Sequence, residues 1–130
     1  MLFRSVCSPE GYEPNSRVVN EAMRTAQETG SELTITNDPD AAADGADAIY
    51  TDVWASMGQE QERVSRLRDF ADYQVSEALM AHARPTARFL HCLPAHRGEE
   101  VAAGVIDGPQ SLVFDQAENR LHAQIGRAHV

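Results

Sequence analysis

The run HCLPAHRG at positions 91–98 sets a thiol between a histidine and a proline, with a second histidine and an arginine just beyond. A cysteine so placed has two readings. It is a small buried apolar group, the usual fate of a free cysteine, or a nucleophile, if His91 and the nearby cations lower its pKa. His91 is poorly placed to act as its base, because consecutive strand residues point to opposite faces. A second run, DVWASMGQE at 52–60, offers a carboxylate, a hydroxyl and a thioether. Asp52 either caps the turn that follows or binds a substrate ammonium. Ser56 suits ordinary turn chemistry. Met57 in a tight loop exposes apolar surface, which makes sense if it folds over a ligand or packs on another domain. Arg97 and Arg120 either pair with surplus acids or grip phosphate through the planar guanidinium fork. His82 and His122 read as structural or exposed, and Trp54 as loop or core packing. No spacing of Cys or His suits a metal, and no Gly-rich phosphate loop is found.

These residues need a scaffold to hold them together. ELTITND (32–38), AIYTDVW (48–54) and ARFLHCLP (87–94) read as strands, with a fragment of another at 6–8. SPEGYEPNS (8–16) is a loop that ends in Asn15 or Ser16 as a helix cap. RVVNEAMRTAQETG then carries Val18, Val19, Ala22, Met23 and Ala26 at helical spacing, with Gly30 as its stop. DPDAAADGAD (38–47) is a short helix capped by Asp38, with Pro39 in its first turn. One or two helices follow between 61 and 83, and a short helix or turn lies in EEVAAGVID. The last helix sets Val113, Phe114, Ala117 and Leu121 on one face. Strands alternating with helices give an α/β class: a parallel sheet flanked by helices, Rossmann-like and incomplete as a domain. Parallel strands need both faces covered, and three strands make a thin sheet. Ligands gather at the carboxyl ends of strands in such folds. Two strands here end in the two reactive runs, so both runs belong to one candidate site.

The chain has 130 residues, 42% hydrophobic and 24% charged, with a net charge of −9. All of its basic side chains other than histidine are arginines. An acidic surface argues against nucleic-acid binding. No apolar run approaches the ~20 residues of a membrane span, and no secretory pattern opens the chain. Two cysteines are too few for a disulfide framework, so a reducing cytoplasm is the expected setting. The ends are unlike the rest. MLFRS and IGRAHV can be encoded by stretches that are reverse complements of one another and match a common sequencing adapter. We therefore expect 1–5 and 125–130 to be non-native, which leaves 6–124 as one partial domain.

DVWASMGQE resembles the DxxxSMG loop of ornithine carbamoyltransferases, and FLHCLPAHRGEEV resembles their HCLP motif. PEGYEP and FDQAENRLHAQ resemble further blocks of that family, in the same order. The resemblance covers 6–124 and identifies that stretch as part of an ornithine-binding domain. It implies carbamoyl transfer from carbamoyl phosphate to ornithine, giving citrulline and phosphate in arginine metabolism, with no metal or other cofactor. Asp52, Ser56 and Met57 would bind ornithine, with Asp52 taking the α-ammonium. Cys92, the catalytic residue, and Leu93 would position the attacking amine, and Arg120 would contact carbamoyl phosphate. The family's STRT and HPxQ phosphate-binding segments do not occur in the 130 residues, so the isolated chain is expected to be inactive. The resemblance implies a homotrimer, or a multiple of trimers, for the parent. The alternatives are a carbamoyltransferase for another amine such as putrescine, a non-catalytic amino-acid-binding module, and a cysteine hydrolase using Cys92.

Overall fold

A computed structural model describes residues 2–128; of the ends set aside above, Met1, His129 and Val130 lie outside the described residues. Among the described residues, four strands and six helices follow one another. They are β1 (Phe3–Cys7), α1 (Ser16–Thr29), β2 (Glu32–Thr36), α2 (Pro39–Ala43), β3 (Ala48–Thr51), α3 (Glu60–Asp69), α4 (Glu77–Met80), β4 (Arg88–His91), α5 (Ala103–Ile106) and α6 (Val113–Ala128). A single 3-10 turn, Ala71–Tyr73, separates α3 from α4. The fold class expected from the sequence holds. The strands pair in parallel, as two two-stranded units, β1 with β2 and β3 with β4. The strand expected at 6–8 runs instead from Phe3 to Cys7, so three of the residues set aside at the N-terminus pair with β2.

Local chemistry accounts for the helix ends. The Asn15 side chain accepts the amides of Arg17 (3.0 Å) and Val18 (3.4 Å), supplying partners to donors that the first turn leaves free. Gly30 ends α1 in the left-handed region (φ 71°), where a Cβ is unfavourable, and the Ser31 amide closes back on the Ala26 carbonyl at 2.9 Å. Asp38 caps α2 through the amides of Asp40 (3.1 Å) and Ala41 (3.2 Å), and Pro39 occupies the first turn.

The core lies on one side of the molecule. Phe89 of β4 is fully buried among Val75, Met80, Val101, Val105, Ile106 and Val113. Burying a phenylalanine side chain contributes ~1.5–3 kcal/mol. Val75 is stitched in by backbone bonds, its amide to the Glu100 carbonyl (2.9 Å) and its carbonyl to the Ala102 amide (3.0 Å). Neither α1 nor α3 holds a buried residue. The apolar face expected on α6 is mostly open: Val113 is 2% exposed, whereas Phe114 is 75% and Leu121 59% exposed. The start of α6 packs against β4, and residues 117–127 of the helix are exposed.

Candidate functional site

Strand register places the two reactive runs side by side. Thr51 pairs with His91 at the carboxyl ends of β3 and β4. Asp52 and Cys92 are therefore the next residue on each of two neighbouring strands. Their side chains meet: the Cys92 Sγ donates to Asp52 Oδ1 at 3.1 Å. The same oxygen accepts the Val53 amide at 2.7 Å. Asp52 and Cys92 are both exposed, which corrects the reading of Cys92 as a buried apolar group.

The thiol is held in its neutral form. Partial burial pushes its pKa above the ordinary value, and the hydrogen bond to the Asp52 carboxylate pushes it the same way. A lowered thiol pKa was the premise of the cysteine-hydrolase reading, so the geometry removes its basis. Tyr50 lies two residues before Asp52, on the same face of β3. Its phenol is raised above the ordinary value, first by partial burial and then by the neighbouring Cys92 thiol.

Behind the thiol sits a buried pair that sequence reading missed. His91 is 1% exposed and Glu100 is 0% exposed. His91 Nε2 lies 2.9 Å from Glu100 Oε1, and the Leu93 amide donates to His91 Nδ1 at 2.8 Å. Since Nδ1 accepts, the ring proton sits on Nε2 and faces the carboxylate. Glu100 Oε1 also accepts the His96 amide at 2.8 Å. Gln116 Oε1 takes the His91 amide at 3.1 Å, tying α6 to the end of β4. Leu93 adopts φ 57°, sparsely populated for a branched side chain, and the His91 bond to its amide helps to hold it there. The Leu93–Pro94 peptide, whose isomer the sequence left open, is cis. Nothing in the spacing of His91 and Glu100 announces the pair, because a nine-residue excursion brings them together. Tyr50 carried a usable signal, its place two positions before Asp52.

The loop bearing Ser56 and Met57 is fixed at its base and free at its tip. The Ser56 amide donates to Gln59 Oε1 (3.2 Å), and the Gln59 amide returns to the Ser56 carbonyl (3.1 Å). Gly58 turns the chain at φ 92°, a conformation that disfavours any Cβ. Trp54 stacks on Phe70 with centroids 5.7 Å apart, and its carbonyl accepts from Arg66 Nη1 at 3.1 Å. Met57 is 97% exposed. Arg120 is exposed on α6, four residues after Gln116 and so on the same helix face. No hydrogen bond or ion pair among the described residues joins Arg120 to the Asp52–Cys92 pair. Arg97 is committed elsewhere, gripping Asp107 with Nε (2.8 Å) and Nη2 (2.7 Å). His82 and His122 are exposed beside Asp40 and Glu118, in keeping with their reading as structural or exposed.

Among the described residues, two groups bring three potential metal-ligand atoms within 4.8 Å of one another: Asp52, His91 and Cys92, and His96, Glu99 and Glu100. In the first, both ring nitrogens of His91 are already hydrogen-bonded. In the second, Glu99 pairs with Arg63. No described helix is long and apolar enough to cross a membrane.

Residues 1–126 match the family model described as aspartate/ornithine carbamoyltransferase, Asp/Orn binding domain. Among curated proteins, an ornithine carbamoyltransferase from Wolinella succinogenes is 56% identical over 121 residues, covering 93% of this chain and 39% of that protein. One from Symbiobacterium thermophilum is 60% identical over 119 residues, covering 92% and 38% respectively. Among solved structures, the ornithine carbamoyltransferase from Pyrococcus furiosus superposes with a TM-score of 0.89 at 54% identity, over 95% of this chain and 39% of that one. The chain thus spans about two fifths of the length of the relatives it matches.

Proposed function

Because this chain belongs to the aspartate/ornithine carbamoyltransferase family, matching its Asp/Orn binding domain, we propose that it forms the amine-binding side of an ornithine carbamoyltransferase. The reaction moves the carbamoyl group of carbamoyl phosphate to the side-chain amine of ornithine and releases phosphate. The observation that carries the reading is the 3.1 Å contact between Cys92 and Asp52 at adjoining strand ends.

The geometry suits a mechanism of positioning. Asp52 Oδ1 is occupied by the Val53 amide and the thiol, which leaves Oδ2 to meet an ammonium. A neutral thiol suits this role, because it orients an amine without competing as a nucleophile. The Leu93 carbonyl, set by the left-handed turn at that residue, is the second acceptor for the attacking amine. Ser56 and Met57 ride on a loop whose free tip can fold over the amino acid. Arg120, exposed on α6, is the residue of this chain assigned to carbamoyl phosphate in this reading. Holding two reactants in near-attack geometry and stabilising the charge that develops supplies the catalysis, with no covalent enzyme intermediate.

The phosphate grip requires residues outside this chain, so the isolated 130 residues should form no measurable citrulline. Extending the gene upstream in its source DNA and assaying the longer protein with ornithine, putrescine and carbamoyl phosphate tests the reading. Citrulline formation that drops at least a hundredfold in Asp52→Ala supports it. Equal activity on putrescine, or none on ornithine, overturns it. We further propose that the longer protein assembles as a trimer or a multiple of trimers, which sedimentation of the same preparation measures.

A further inference from the structure

Of the four runs that carry the family resemblance, PEGYEP (9–14) supplies no residue to the site described above. Its tyrosine reaches across the molecule. Tyr12 lies between β1 and α1, and its hydroxyl donates to Asp69 Oδ2 at 2.9 Å, at the end of α3. The phenol ring meets Phe70 edge-on, with centroids 4.8 Å apart and planes at 67°. Phe70 in turn stacks on Trp54, two residues before Ser56. Edge-to-face and offset-stacked contacts are the favoured ways for aromatic rings to pack. The Arg66 guanidinium carbon stands 5.5 Å from the centre of the Tyr12 ring, while its Nη1 holds the Trp54 carbonyl.

The Ser56–Met57 loop depends on this stack. Among the described residues, the hydrogen bonds of 54–59 stay within the loop or go to α3. α3 holds no buried residue, so loop and helix together have no core of their own. Arg63 pairs with Glu99 and fastens the middle of α3 to the loop that follows β4. Tyr12 fastens the end of α3 and, through Phe70, the base of the Ser56–Met57 loop. The bond to Asp69 survives at neutral pH. It raises the Tyr12 phenol above its ordinary value, and Tyr12, ahead of Arg68, holds the Asp69 carboxyl below the usual range.

We propose that Tyr12 is a positioning residue for ornithine: through Phe70 and Trp54 it fixes the base from which the Ser56–Met57 tip folds over the amino acid. It acts through other side chains and touches no reacting group. A loose base has to be ordered when the amino acid binds, so its loss weakens ornithine binding and spares the chemical step. The inference deepens the amine-binding reading and rests on it.

The longer protein assayed for citrulline provides the test. Tyr12→Leu removes the ring contact and the hydroxyl together. It should raise KM for ornithine about tenfold and leave kcat and the KM for carbamoyl phosphate within about twofold. Tyr12→Phe keeps the ring and should raise KM for ornithine about threefold. A residue that only stabilised the fold would lower kcat with the ornithine KM unchanged, and that result overturns the inference. An unchanged ornithine KM in Tyr12→Phe also overturns it, and this milder variant serves if Tyr12→Leu does not fold. Phe70→Leu added to Tyr12→Leu should raise KM little further, because both act along one path; a fully additive rise overturns the route through Phe70. If the wild-type protein makes no citrulline, the carbamoyl-transfer reading fails by itself, and the tie is read without turnover. In the same protein labelled with 5-fluorotryptophan, the Trp54 fluorine resonance, assigned with Trp54→Phe, should shift in Tyr12→Leu. A resonance that does not move overturns the tie.

Discussion

The two strand pairs have the same pairing geometry and opposite fates. β3 and β4, with α4, α5 and α6, enclose Phe89, Val101, Val105 and Ile106 almost completely. β1 and β2 hold no buried strand residue, and the α1 helix beside them holds none either. Both halves have well-formed helix ends and in-register strands. Local chemistry therefore makes the elements, and long-range partners decide whether they bury anything. The candidate site follows the buried half: Cys92 leaves the carboxyl end of the strand that carries Phe89, and the His91–Glu100 pair lies behind it.

The sharpest way to break this comparison is through the cores. Phe89→Ala should cost ~3–5 kcal/mol of stability, while Val18→Ala on the exposed face of α1 should stay within ~0.5 kcal/mol. Urea unfolding of the two variants measures both, and equal costs would mean that the halves do not differ. Next in size is the buried pair. Glu100→Ala leaves the His91 Nε2–H and the His96 amide without their acceptor, and should cost ~3 kcal/mol in thermal unfolding. The turn at Leu93 should loosen with it, read as faster amide exchange at Leu93. A smaller effect is expected in the less buried half, where Asn15→Ala removes the α1 cap for ~1 kcal/mol, followed by circular dichroism.

The smallest effect is electrostatic. In a Cys7→Ser background, alkylation of Cys92 by iodoacetamide should reach half its limiting rate above pH 9.0, the ordinary thiol value. Partial burial and the Asp52 carboxylate both disfavour the thiolate. Asp52→Asn removes the carboxylate contribution and leaves the burial, so the midpoint should move down yet stay raised. An upward shift would refute the assigned contact.

Much of this was legible in the sequence, for reasons that can be named. Alternation of strand and helix signals gave the class, and Asn15, Gly30 and Asp38 marked helix ends by side-chain chemistry alone. Asp52 and Cys92 could be brought together because parallel strands deliver their carboxyl ends to one edge. Three features were hidden. The strand β1 is short and largely unburied, and so carries little periodicity. The apolar residues of α6 gave a helical pattern, but a pattern cannot say whether a partner is present. The contact of His91 with Glu100 depends on the path of the intervening loop, which no local spacing encodes.

The engagement of His91 constrains any reaction at this edge. One ring nitrogen already receives a backbone proton and the other already gives its own to Glu100. The imidazole nearest the thiol has no lone pair to lend. Any base used at this strand edge must therefore be a group other than His91.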